Sequence, residues 1–122
     1  MERGALTSLA FWTKAGTWVQ SARAEYLVAM TMNRIDKPGE ARSHALCGIA
    51  TIEAGGKQEV DLAFLALELA HAEARLGNAA AASAARRRSE ALAANFADDS
   101  LREWYSETVA KLDALGEPHA AE

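Results

Sequence analysis

The sequence predicts an all-α domain. Half of its 122 residues are hydrophobic, and that share is dominated by Ala and Leu rather than by strand-forming Val, Ile and Thr. Only two prolines, Pro38 and Pro118, interrupt the chain. Glycines and capping residues recur at helix-length intervals, which divides it into five or six antiparallel helices. These are expected to pair as about three stacked hairpins, in an open array or a compact bundle. The length suits one domain, residues 1–116, with a single sizeable core. Residues 117–122 read as a frayed tail.

Each element has its own local reason. A first helix is expected over Leu6 to Ala15, stopping at Gly16. A second runs from Trp18 to Arg34, ahead of Asp36-Lys37-Pro38-Gly39. Asp36 is the expected N-cap of the third helix, with Pro38 in its first turn, where a missing N–H costs little. That helix ends at Gly55-Gly56, which suit a C-terminal cap. The fourth spans Gln58 to Leu76 and stops at Gly77. Asn78 then caps the fifth, Ala79 to Asn95. Ser100-Leu101-Arg102-Glu103 reads as a capping box opening the sixth, which ends at Gly116. Leu101, Trp104, Val109, Leu112 and Leu115 give that last helix one apolar face.

The fourth helix differs from the rest. Leu62, Phe64, Leu65, Leu67, Leu69, Ala70, Ala72 and Leu76 leave it only a thin polar stripe at Asp61, Glu68, His71 and Arg75. A helix apolar around most of its circumference must be packed on more than one side. It belongs in the middle.

Internal similarity is also present. Ala29-Met30-Thr31-Met32 recurs 37 residues later as Ala66-Leu67-Glu68-Leu69, and Gly16 recurs 39 residues later as Gly55. This suggests a hairpin unit of a little under forty residues, present twice, with the fifth and sixth helices as a degenerate third. Leu46 and Gly48, Gly55 seven residues on and Phe64 nine beyond that resemble a tetratricopeptide-type repeat. The stretches Ala66-Leu67…Leu76-Gly77-Asn78 and Asn33 to Ala41 are similar to its second-helix ending and its linker. Val60 stands where that family has Ala, Ala66-Leu67 falls one residue early, and the third unit keeps few motif residues. The resemblance implies a non-catalytic module holding a peptide or partner helix. Its binding face would be lined by the first helix of each pair, making Lys14, Arg42, His44 and Arg86 the candidate binding residues.

A second resemblance centres on His44. Ser43-His44-Ala45-Leu46-Cys47-Gly48 is similar to the phosphorylatable segment of histidine phosphotransfer domains, and it implies a phosphoryl relay through His44. His44, Leu46 and Gly48 match that pattern, but Cys47 replaces the lysine whose charge would steady the phosphate.

Other chemistry is thinner. Glu68-Leu69-Ala70-His71 has the spacing of one half of a di-iron site, but the chain holds no second Glu-x-x-His. Arg86, Arg87 and Arg88 fan over roughly 200° of helix rather than forming one patch, and Arg86 can pair with Glu90. Trp12, Trp18 and Trp104 read as core or capping aromatics. No nucleophile elbow, phosphate loop or zinc spacing occurs. Neither a metal nor a cofactor is expected.

A net charge of −4 argues against a nucleic-acid partner. Cys47 is the only cysteine, which excludes an internal disulfide. The longest apolar run, Leu62 to Leu67, is far too short to cross a bilayer, and Lys14 interrupts the N-terminal stretch. The expectation is a soluble cytoplasmic protein with a protein or peptide partner, able to self-associate through its end helices.

Overall fold

The computed structural model describes residues 18–55 and 59–116. The helix expected over Leu6 to Ala15, candidate Lys14 and the tail 117–122 lie outside the described residues. Five helices follow in order: α1 (Trp18–Arg34), α2 (Pro38–Gly55), α3 (Glu59–Arg75), α4 (Ala79–Ala93) and α5 (Asp99–Gly116). No strand occurs among the described residues. The all-α hairpin architecture is as the sequence predicts, and α1 to α5 are the expected second to sixth helices.

Two turns set the architecture. At the end of α1, Asp36 N–H donates to Asn33 O (3.2 Å) and Lys37 N–H to Met32 O (2.7 Å). Asp36 has φ +60°. This is a Schellman ending, in which one left-handed residue lets the chain satisfy the last carbonyls. Asp36 therefore closes the preceding helix and does not cap the next. Lys37 takes the N-cap place, its carbonyl accepting from Ala41 N–H (3.1 Å), and Pro38 follows at the first helical position.

The end of α3 repeats this turn. Gly77 N–H donates to Ala74 O (3.1 Å), Asn78 N–H to Glu73 O (2.8 Å), and Gly77 has φ +85°. Asn78 stands at the N-cap of α4, but its side chain makes no cap. It donates instead to Glu73 Oε1 (2.7 Å). At the start of α5 the expected cap also moves. Asp98 Oδ1 accepts from Ser100 N–H (2.8 Å) and Asp98 O from Arg102 N–H (3.1 Å), so Asp98 holds the position assigned to Ser100.

The two Schellman turns lie 41 residues apart, and α1 and α3 are each 17 residues long. α1 thus pairs with α2 and α3 with α4, each first helix ending in the same kind of turn. Gly55 closes α2, as the sequence predicts, and an added Cβ there would overlap the Trp18 ring.

As expected, α3 is the centre. Ala63 to Glu68 are buried without a break. Phe64 and Leu67 pack with Phe96, Tyr105 and Leu112 of the C-terminal half. Leu65 packs with Ala22, Ile49 and Ile52 of α1 and α2. Ala72 joins Val28, Met32 and Ala41 at the far end. Gly48 is where α2 comes closest. A Cβ there would sit 2.8 Å from Leu65 Cδ2 and 3.1 Å from Glu25 Cβ. In the second unit, 41 residues on, Ser89 fills the same place, donating to Ala63 O (2.7 Å) and meeting the Tyr105 hydroxyl (2.7 Å).

Gly48→Leu should lower unfolding free energy by about 2–3 kcal/mol, because Leu65 is fully buried and has no room to yield. Gly77→Ala should cost about 1–2 kcal/mol through its left-handed backbone alone, since nothing lies near its Cβ. Asp36→Gly should change stability by less than about 0.5 kcal/mol, because relief of the left-handed backbone is offset by loss of the exposed ion pair to Arg75 (2.9 Å). Urea denaturation of the three variants measures all of these, and a neutral Gly48→Leu would refute the packing account.

Candidate functional site

The structure places the described candidate binding residues on α2 and α4, each tied to a neighbour. Arg42 donates from Nε to Glu73 Oε2 (3.0 Å), linking α2 to α3. Glu73 is buried, and its other oxygen takes the Asn78 amide, so this carboxylate is fully used. Arg86 makes the expected pair with Glu90 (2.9 Å) and also reaches Asp113 of α5 (3.4 Å). Arg88 bridges to Glu53 of α2 (2.6 Å), and Arg87 donates to Ser83 (2.9 Å). Arg42, Arg86 and Arg88 thus join helices, while Arg87 stays within α4.

His44 is part-buried and donates from Nδ1 to Glu25 Oε1 (2.6 Å). Glu25 is itself buried in α1, directly below Gly48. A hydrogen bond from the Cys47 thiol to the same carboxylate, with burial, pushes that thiol up to about 11. The thiol is therefore unreactive near neutral pH. The neighbour of the imidazole is a carboxylate where phosphate transfer calls for a cation. The three side chains form a polar clasp between α1 and α2.

A shallow cavity of about 290 Å³ between α2, α3 and α4 includes Glu73 and Arg88, and a larger one lies on the other side of α3. A groove of about 720 Å³ runs between α1, α3 and α5. Phe64 of α3 forms its floor, with Tyr26 edge-on at 6.1 Å and Trp104 tilted over it at 4.9 Å. Leu27 and Met30 of α1 make one wall, and Leu101, Trp104 and Thr108 of α5 the other. Leu27 is 46% exposed and Trp104 53% exposed, the two most open large apolar side chains among the described residues. Arg23 and Asp61 pair at the N-terminal ends of α1 and α3 (3.2 Å), while Arg34 and Lys111 lie further along α1 and α5. None of Arg42, His44 and Arg86 lines this groove.

The groove is lined by α1, α3 and α5, whereas Arg42, His44 and Arg86 stand on α2 and α4. The signals for it were present in the sequence: Leu27 and Trp104 are bulky apolar residues that their own helices leave facing out.

Just behind the groove lies a buried polar pair. Asn33 Nδ2 of α1 donates to Glu68 Oε1 (2.8 Å) and to Glu68 O (3.0 Å) on α3. Glu68 is fully buried, so it belongs to the core and not to a solvent stripe with His71. Asn33 Oδ1 and Glu68 Oε2 both lack a partner. Burial pushes the Glu68 carboxyl up to about 7, against the lowering effect of Asn33 and Arg34. His71, part-buried one turn on, is lowered by burial and by Arg75. Among the described residues no group of three or more His, Cys, Asp and Glu side chains converges where a metal could sit. No helix there is long and apolar enough to cross a membrane.

In comparison with known proteins, no family model, no curated protein and no solved structure matches this chain. Function is therefore argued from the geometry.

The raised Glu68 carboxyl fixes a pH dependence. The native state keeps the proton up to about pH 7, while the unfolded chain releases it near 4.5. Between those values the native state binds more protons, so stability falls as pH rises through the window and then levels. Glu68→Gln supplies an uncharged donor at the unpaired oxygen. Relative to wild type it should be more stable by about 2 kcal/mol at pH 8 and nearly equal at pH 4.5. Thermal melts across that range test this, and a constant difference would refute it.

Proposed function

We propose that this chain is a non-catalytic binding module, whose tandem helical hairpins hold a segment of a protein partner in the groove between α1, α3 and α5. The observation that carries this reading is the pair Leu27 and Trp104, left exposed on facing walls above an aromatic floor. Large apolar side chains in a concave setting lose favourable burial until something covers them. The groove runs along helix faces, which suits an elongated guest presenting side chains at regular intervals. The module works without a cofactor, and we place it in the cytoplasm.

Selection of twelve-residue peptides from a random display library on the full chain tests this. The selected peptides should lose at least about tenfold in affinity with Trp104→Ala or Leu27→Ala. Arg87→Ala, on the outer face of α4, should leave affinity unchanged. Peptides insensitive to both groove variants would refute the assignment.

A further inference from the structure

We infer that the groove's guest is an acidic amphipathic helix of about three turns, with apolar side chains against Leu27 and Trp104 and carboxylates reaching Arg34 and Lys111. This rests on the groove reading above and names the chemistry of its partner.

Charge carries the argument. Four ionisable side chains other than tyrosine line the groove: Arg23, Arg34, Lys111 and Asp61. Asp61 is taken by Arg23 (3.2 Å). No salt bridge of the described residues involves Arg34 or Lys111, and the acid that Arg34 acts on, Glu68, is buried behind the groove with its carboxyl raised to about 7. The groove is thus net +2 in a chain of net −4, leaving −6 for everything outside it. Nearly every other arginine described here is committed to a carboxylate of the fold. Two cations without a salt bridge beside exposed apolar walls ask for an anionic guest, and the net negative charge of the rest of the chain disfavours an acidic guest elsewhere.

Geometry sets the guest's form. Short connections make successive helices antiparallel, so α1, α3 and α5 run the same way. Arg34 and Lys111 then lie towards one end of the groove, with Leu27, Met30 and Trp104 in its middle. The lining stretch of α1, Arg23 to Arg34, is about 16 Å long at 1.5 Å per residue. That accommodates about three helical turns, whose apolar anchors recur every three or four residues.

Two probe peptides test this on the full chain by fluorescence anisotropy. One carries Leu and Trp along a single helical face with Glu elsewhere, and its twin has Lys in place of every Glu. The acidic peptide should bind at least about tenfold tighter at low salt, and the margin should shrink as salt rises. Combining Arg34→Glu with Lys111→Glu should invert the order, while Arg87→Glu should preserve it. Equal binding of the twins, or a preference that survives the double reversal, overturns the acidic guest. If Trp104→Ala still weakens both twins, the groove reading stands without it. If Trp104→Ala affects neither, both readings fall together. Saturation by decanoate with no binding of either peptide would also overturn the inference, in favour of a small amphipathic anion.

Discussion

The whole arrangement answers one constraint: α3 has no face that water can be given. Six successive residues, Ala63 to Glu68, are buried, which covers every direction around the helix. A single neighbour hides only one stripe, so several helices must surround it. The sequence supplies them in pairs, α1 and α2 from the N-terminal side and α4 and α5 from the C-terminal side. Each pair brings its own small cluster of apolar side chains. The groove is what remains of that encirclement, a gap between α1 and α5 above Phe64. Phe64 itself is hidden by the aromatic rings around it, so the gap costs α3 little exposure.

Apolar burial of this kind does not fix a register, because Ala- and Leu-rich faces fit one another in many ways. The buried polar groups restrict the choice. Asn33 must reach both the carboxyl and the carbonyl of Glu68, Ser89 must meet Ala63 O, and Glu25 must lie under His44 and Cys47. Sliding any of these helices by one turn would bury the same hydrocarbon but leave a polar atom alone, at a cost of about 1–3 kcal/mol. Glu68 and Asn33 each carry an unpaired oxygen even in the native register. The price of specificity is therefore visible at one point between α1 and α3. A carboxyl that keeps its proton removes part of it.

Helix number, helix limits and the central place of α3 were readable in the sequence because each depends on residues near one another. Pro38, Gly77 and the apolar circumference of α3 act locally. The phase of the hairpins does not. It depends on the turns after α1 and α3, which are the same in backbone but are built from Asp36 in one and Gly77 in the other. The two turns share no residue at the left-handed position, whereas Ala29-Met30-Thr31-Met32 and Ala66-Leu67-Glu68-Leu69 resemble each other through an Ala- and Leu-rich composition. Arg42, His44 and Arg86 are polar residues on helix faces, but whether a face meets solvent or another helix is decided by partners that lie 19 to 31 residues away.

Those distant partners explain why cations that look alike in the sequence divide into two kinds. Arg42 and Arg86 stand opposite carboxylates on the next helix, and their charge is used in holding the hairpins together. Arg34 and Lys111 line the groove without a salt bridge to a carboxylate on the next helix. A fold that needed only to be stable would gain by placing an acid there, or by closing α5 onto α1 and burying Leu27 and Trp104. Neither occurs, although Arg86–Asp113 and Ser89–Tyr105 show how readily α5 is fastened to α4 on its other side. The helix is held on α3 and α4 and left apart from α1. Apolar surface and charge are thereby kept open in one place, where a guest that supplies both complements would complete the covering of α3.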